Sequence, residues 1–106
     1  MEAVEATHKA GICHLDIKLE NILVAQDYTV KLCDFGLAKS IDEHMNFEIG
    51  TTGYMAPEIA SLSLDYFTGA PADVFSMGVV LYILEVGSPP FGRTDDRFYR
   101  LIANNP

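Results

Sequence analysis

His14-Leu15-Asp16-Ile17-Lys18-Leu19-Glu20-Asn21 is the stretch on which the fold of this chain turns. Directly after it, Ile22 to Ala25 and Thr29 to Cys33 form two short apolar runs around the Gln26-Asp27-Tyr28 turn. That pattern predicts a β-hairpin. Taken singly, Asp16 and Asp34 read as surface or turn carboxylates, and Lys18 as a solvated charge.

Before this stretch, residues 1 to 10 read as the end of a helix, with Val4 and several alanines apolar and Gly11 placed where a C-cap is wanted. After it, Asp34 to Pro57 shows Gly, Thr, Asn and Asp without sustained periodicity, which predicts a long irregular segment; loops of that length are usually functional. Residues 73 to 87, DVFSMGVVLYILEVG, are apolar on nearly every face, which predicts a helix buried all round. The run falls short of the roughly 18 uninterrupted apolar residues of a membrane span and carries Asp73 and Glu85. Pro89-Pro90 is expected to end it. A central helix needs several partners, yet the chain offers a helix end before it and one short candidate, RTDDRFYRLIANN at 93–105, after it. The core therefore reads as incomplete, with apolar surface left exposed.

At 106 residues the chain holds one domain at most. Its 49% hydrophobic and 21% charged residues place it among chains that pack a core. A formal net charge of −8 argues against nucleic acid and anionic membranes as partners, because both demand clustered Lys and Arg. Cys13 and Cys33 stand apart, in neither a metal-binding nor a disulfide-rich pattern. The N-terminus lacks the basic and apolar regions of a signal peptide. A reducing, cytoplasmic setting is the expectation, and oligomeric state is left open.

In order along the chain, His14 to Asn21, Asp34-Phe35-Gly36 and Ala56-Pro57-Glu58 resemble the catalytic loop, the D-F-G motif and the A-P-E motif of eukaryotic-type serine/threonine protein kinases. Asp73 to Gly78 resembles the family's D-V-W-S-x-G helix, and Pro89-Pro90-Phe91 its P-P-F turn. YILEVGSPPF is similar to the calcium/calmodulin-dependent kinase group. The resemblance implies an α+β, mainly α fold, a partial kinase domain over residues 1–106 that corresponds to the large C-terminal lobe, with a short hairpin at the catalytic loop.

It also implies roles. Asp16 would orient a substrate hydroxyl and accept its proton. Lys18 would face the transferred phosphate, and its presence favours serine/threonine over tyrosine as acceptor. Asn21 and Asp34 would hold Mg²⁺ on the phosphates of ATP. Thr51 would tie the substrate-binding strip to Asp16 and Lys18, and Glu20 could meet a basic substrate residue or simply be solvated. His14 and Phe35 would stack, Gly36 would free the D-F-G turn, and Asp73 would accept amides of the catalytic loop. Glu58 would lack the late arginine it normally pairs with.

Two departures stand out. Leu15 replaces the arginine that grips an activation-segment phosphate, and Phe47, four residues before Thr51, stands where many kinases keep a phosphorylated threonine. Control through such a phosphate is therefore not expected. Nothing matches the Gly-rich loop, the strand lysine or its helix glutamate. The chain alone is accordingly expected to have little or no activity, and the alternative reading is a non-catalytic remnant that serves as an interaction module.

Overall fold

A computed structural model describes residues 2–60 and 66–91. Helix α1, Glu2–Lys9, carries Glu2 and Glu5 in its first turn and His8 and Lys9 in its last, which complements the helix dipole. It ends as its sequence predicts: the Gly11 amide donates to the His8 carbonyl at 3.0 Å, and Gly11 takes φ 84°, a left-handed value that glycine adopts without a Cβ penalty.

Strand β1, Ile12–Cys13, leads into the catalytic-loop stretch, which closes through a 3₁₀ turn at Leu19–Asn21. The expected hairpin follows as β2, Ile22–Val24, paired antiparallel with β3, Val30–Leu32. Its turn is held by the Ala25 amide on the Thr29 carbonyl at 2.8 Å and by Asp27 Oδ1, which accepts the Thr29 amide and hydroxyl. Those bonds hold the Asp27 carboxyl below its usual range. The 34–57 segment is irregular for most of its length but contains β4, Lys39–Ser40, paired with β1 in the register Ile12↔Ser40, Cys13↔Lys39. This pairing folds the chain after Asp34-Phe35-Gly36 back beside the strand that enters the catalytic loop. A four-residue helix α2, Pro57–Ala60, follows.

Helix α3 corrects the sequence reading in three ways. It runs Gly69–Val86, starting before Asp73, because Pro71 falls in the first turn, where the missing amide proton has no intrahelical partner to lose. It ends at Gly87, φ 92°, whose amide donates to the Ile83 carbonyl, so a left-handed glycine cap and not Pro89-Pro90 terminates it. And it is not buried all round: Ala72, Asp73, Val79 and Val80 are buried, whereas Val74, Leu81 and Leu84 are 58%, 60% and 67% exposed. At 18 residues it is long and apolar enough to cross a bilayer by length and composition alone, which the shorter stretch read from sequence was not. Two of its polar side chains, Asp73 and Ser76, are hydrogen-bonded to other parts of the described chain.

The main core cluster joins Cys13 and Leu15 to Met45, Met55, Ile59 and Phe67, with Ala56 and Ala72. A second joins Val4, Ile17 and Val80 beneath the hairpin. The described residues thus form an α+β structure with more helix than strand. The candidate helix at 93–105 lies outside them.

Candidate active site

The site is built from Asp73 outward. This carboxylate, 1% exposed, accepts the His14 amide on Oδ2 and the Leu15 amide on Oδ1, each at 2.8 Å. His8 Nε2, on α1, donates to Oδ2 at 2.8 Å. A buried carboxylate is tolerated only when its lone pairs are satisfied, and here three donors from two segments do so. The consequence is geometric. Leu15 is held at φ 67°, a backbone region unfavourable for a side chain of its kind, and that twist turns the next residue, Asp16, out of the core.

The His14 ring completes the support. The Asp16 amide donates to Nδ1 at 3.1 Å, so the ring proton sits on Nε2 and is donated to the Cys33 carbonyl at 2.9 Å. Because Cys33 also donates its amide to the Asn21 carbonyl at 2.9 Å, the residue just before Asp34 is fastened to both ends of the catalytic loop.

Three of the predicted side chains meet at Asp16. The Thr51 hydroxyl donates to Asp16 Oδ1 at 2.5 Å and accepts from Lys18 Nζ at 3.1 Å. Lys18 Nζ lies 3.8 Å from Asp16 Oδ2. Asn21 Nδ2 donates to the Asp16 carbonyl at 2.8 Å and reaches Oδ2 at 3.4 Å. A carboxylate offers about four lone-pair sites, so Asp16 keeps capacity for a further hydroxyl donor.

Asp34 is exposed and sits at φ 59°. Its Oδ1 accepts the Gly36 amide at 3.3 Å, so the left-handed residue of this turn is Asp34, and Gly36 is not among the positive-φ glycines. A Cβ at 36 would lie 3.1 Å from Asp34 Oδ1, a tight contact that the exposed carboxylate would have to shift slightly to accept. The freedom expected of Gly36 therefore belongs to its neighbour. Phe35 meets His14 edge to face, with centroids 4.6 Å apart and planes at 64°, a favoured aromatic arrangement. It is not a parallel stack. Glu20 is exposed on the 3₁₀ turn, and Glu58 is half-buried in the first turn of α2 with no ion pair among the described residues.

No group of three or more His, Cys, Asp or Glu side chains suited to a metal occurs among the described residues. The pair expected to hold Mg²⁺ is of another kind: Asn21 and Asp34 are hard oxygen donors, and Mg²⁺ takes few protein ligands beside water and phosphate oxygens. Asn21 spends its NH₂ group on Asp16, which leaves the amide oxygen as the atom available to a cation. The residues present fit the ion.

Sequence reasoning missed the third donor on Asp73, His8, since a contact between residues 65 apart has no local signature. It also missed Ser76, whose hydroxyl donates to the Tyr54 carbonyl at 2.7 Å and ties α3 to the strip after Thr51.

Residues 1–105 match the protein kinase domain family. The chain is 45% identical over 92 residues to the serine/threonine-protein kinase kin-29 of Caenorhabditis briggsae, an alignment covering 85% of this chain and 11% of that protein. It is 41% identical over 106 residues to the probable serine/threonine-protein kinase fhkC of Dictyostelium discoideum, covering 94% and 18%, and 42% identical over 100 residues to the serine/threonine-protein kinase SAPK1 of Oryza sativa, covering 91% and 29%. The chain belongs to the protein kinase domain family and is of the eukaryotic-type serine/threonine kind. It spans less than a third of the length of these relatives.

Proposed function

We propose that the protein carrying this chain transfers the γ-phosphate of ATP to serine or threonine hydroxyls of protein substrates, and that residues 1–106 supply the large-lobe half of that machinery. The observation that carries the reading is the convergence of Thr51, Lys18 and Asn21 on the carboxylate of Asp16.

Phosphoryl transfer proceeds through a loose transition state, so the work of the protein is positioning and electrostatic stabilisation. Asp16, with a lone pair to spare, accepts a hydrogen bond from the incoming hydroxyl and takes its proton as the new P–O bond forms. Thr51 holds the carboxylate through Oδ1, whereas Asn21 and, at longer range, Lys18 approach Oδ2. The Lys18 ammonium, 3.1 Å from Thr51 Oγ1, stands where negative charge builds on the transferred group. Asn21 and Asp34 would hold Mg²⁺, which when bound neutralises charge on the nucleotide phosphates. The acidic balance of the chain, −8, favours basic segments as substrates and opposes nucleic acid. A cytoplasmic location and the absence of membrane insertion belong to the same proposal; the second is supported by the engagement of Asp73 and Ser76 of α3 with the globular core.

Nothing in the sequence supplies the usual clamp for the α- and β-phosphates, so the 106-residue chain alone is expected to show no turnover. A phosphotransfer assay on peptide serine tests both halves. The full-length protein turns over, and Asp16→Asn lowers kcat by about 10²–10⁴-fold, the usual worth of a general base. Full activity in Asp16→Asn would overturn the catalytic reading. Turnover by the 106-residue chain that vanishes in Asp34→Asn would overturn the inactivity of the fragment.

A further inference from the structure

The two positions that depart from the family pattern, Leu15 and Phe47, are both used in the structure. Leu15 is 5% exposed and shares a buried cluster with Met45, Met55 and Phe67. Met45 is in turn fixed by paired backbone bonds to Phe67, 2.8 Å through its amide and 2.7 Å through its carbonyl. The catalytic loop therefore meets the middle of the 34–57 segment through an apolar contact, where a cation would have needed an anion.

Phe47 lies two residues past Met45, and Lys39 Nζ stands over its ring at 6.0 Å from the centroid. Lys39 belongs to β4 and pairs with Cys13 on β1, so the ammonium is anchored on the strand that leads into the catalytic loop. It takes part in no ion pair among the described residues. An ammonium over an aromatic face is attracted by the ring quadrupole.

We propose that Lys39 and Phe47 form a phosphate-free latch: the cation–π contact joins the start of the activation segment to its middle, as a lysine–phosphate pair would, but without modification. The Leu15–Met45 packing provides the second fastening. The latch then biases the order of the segment through its own residues, on the scale that an exposed cation–π pair supplies. The proposal rests on reading residues 34–57 as an activation segment.

Amide hydrogen exchange on the full-length protein tests the latch without any phosphotransfer, so its failure leaves the kinase reading intact, and failure of that reading leaves the latch measurable. The variants are Phe47→Leu, which keeps apolar bulk and loses the quadrupole, Lys39→Met, which keeps the stem and loses the charge, and the two combined. The amides of β2 and β3 serve as the internal measure of global stability. Each single variant is expected to speed exchange over residues 41–50 by roughly two- to fivefold, the scale of an exposed cation–π pair, with the hairpin unchanged. The double variant should go no faster than either single one, because both remove the same interaction. Phe47→Trp, with the stronger ring, should slow exchange. Unchanged exchange in the single variants, additive effects in the double, or an equal rise in the hairpin would each overturn the latch. So would an obligatory phosphate at Ser40, Thr51 or Thr52 found by mass spectrometry of the active full-length protein.

Discussion

Asp73 and Val74 are neighbours on α3, yet they face two different worlds. On the Asp73 side every polar group is answered: the carboxylate takes three donors, and no buried side-chain polar atom among the described residues lacks a partner. On the Val74 side the helix presents Leu81 and Leu84 beside Val24 and Val30 of the hairpin, around an open apolar groove of about 340 Å³. The contrast shows that the hydrogen bonds positioning the site close within residues 8–76, whereas the scaffold beneath it is not covered among the described residues. Hydrogen bonds saturate with a few local partners. Burial of an 18-residue apolar cylinder does not, since it needs surface from several directions.

The largest test strikes the saturated side. Asp73→Ala leaves the His14 and Leu15 amides without an acceptor in a buried place, at about 1–3 kcal/mol for each, and releases the twist at Leu15. A loss of roughly 3–5 kcal/mol is expected in urea denaturation, a large share of the stability of any small domain. Asp73→Asn, which keeps one acceptor oxygen, should recover part of it. A cost below about 1 kcal/mol for the alanine variant would mean that the two sides of α3 do not differ as described.

How far the sequence shows this contrast depends on the range of each interaction. The hairpin is legible because its turn chemistry, Asp27 bonding Thr29, is local. The contents of the site are legible as well, because Asp16, Lys18 and Asn21 sit within six residues of one another and Thr51 lies in a recognisable motif. Strands β1 and β4 are not, since two-residue strands paired across 26 residues have no periodicity to read. Nor is the start of α3, where Gly69-Ala70-Pro71 looks like a loop until the first-turn rule for proline is applied. The exposed face of α3 is legible in part, because the shortage of partner helices already predicts apolar surface left uncovered. Apolar composition at 73–87 says which surface gains from burial, but not which face of the helix stays uncovered.

A smaller effect sharpens the other side. Leu81→Gln combined with Leu84→Lys replaces side chains that are 60% and 67% exposed. Unfolding free energy should move by no more than about 0.5 kcal/mol, as for ordinary surface changes, while light scattering at high protein concentration falls because the apolar patch is broken. A loss of 2 kcal/mol or more, on the scale of a core truncation, would show that these side chains are buried in solution by a second copy or by chain outside residues 2–60 and 66–91.

The faintest expected effect lies at the seam between the two regions. Cys13 is fully buried, its Sγ so close to Gly69 that a Cβ there would come within 2.1 Å. Burial first, and then the Asp73 carboxylate, push the thiol above its ordinary value of 9.0. The sign follows from linkage: the unfolded chain releases this proton from about pH 9.0 upward, while the folded chain retains it until its own raised value is passed. The stabilisation is therefore complete below the unfolded value and drains away as pH rises toward the folded one, with a slope of at most about 1.4 kcal/mol per pH unit. Cys13→Ala removes the titrating group. The difference in unfolding free energy between wild type and Cys13→Ala, flat from pH 6 to 8, should shrink above pH 9. Tyrosine and lysine side chains titrate in the same range but are common to both proteins and cancel in that difference. A difference that stayed constant to pH 11 would mean that the thiol is hydrated in the folded chain, and that the packing of β1 against the first turn of α3 is looser than its contacts with Gly69 imply.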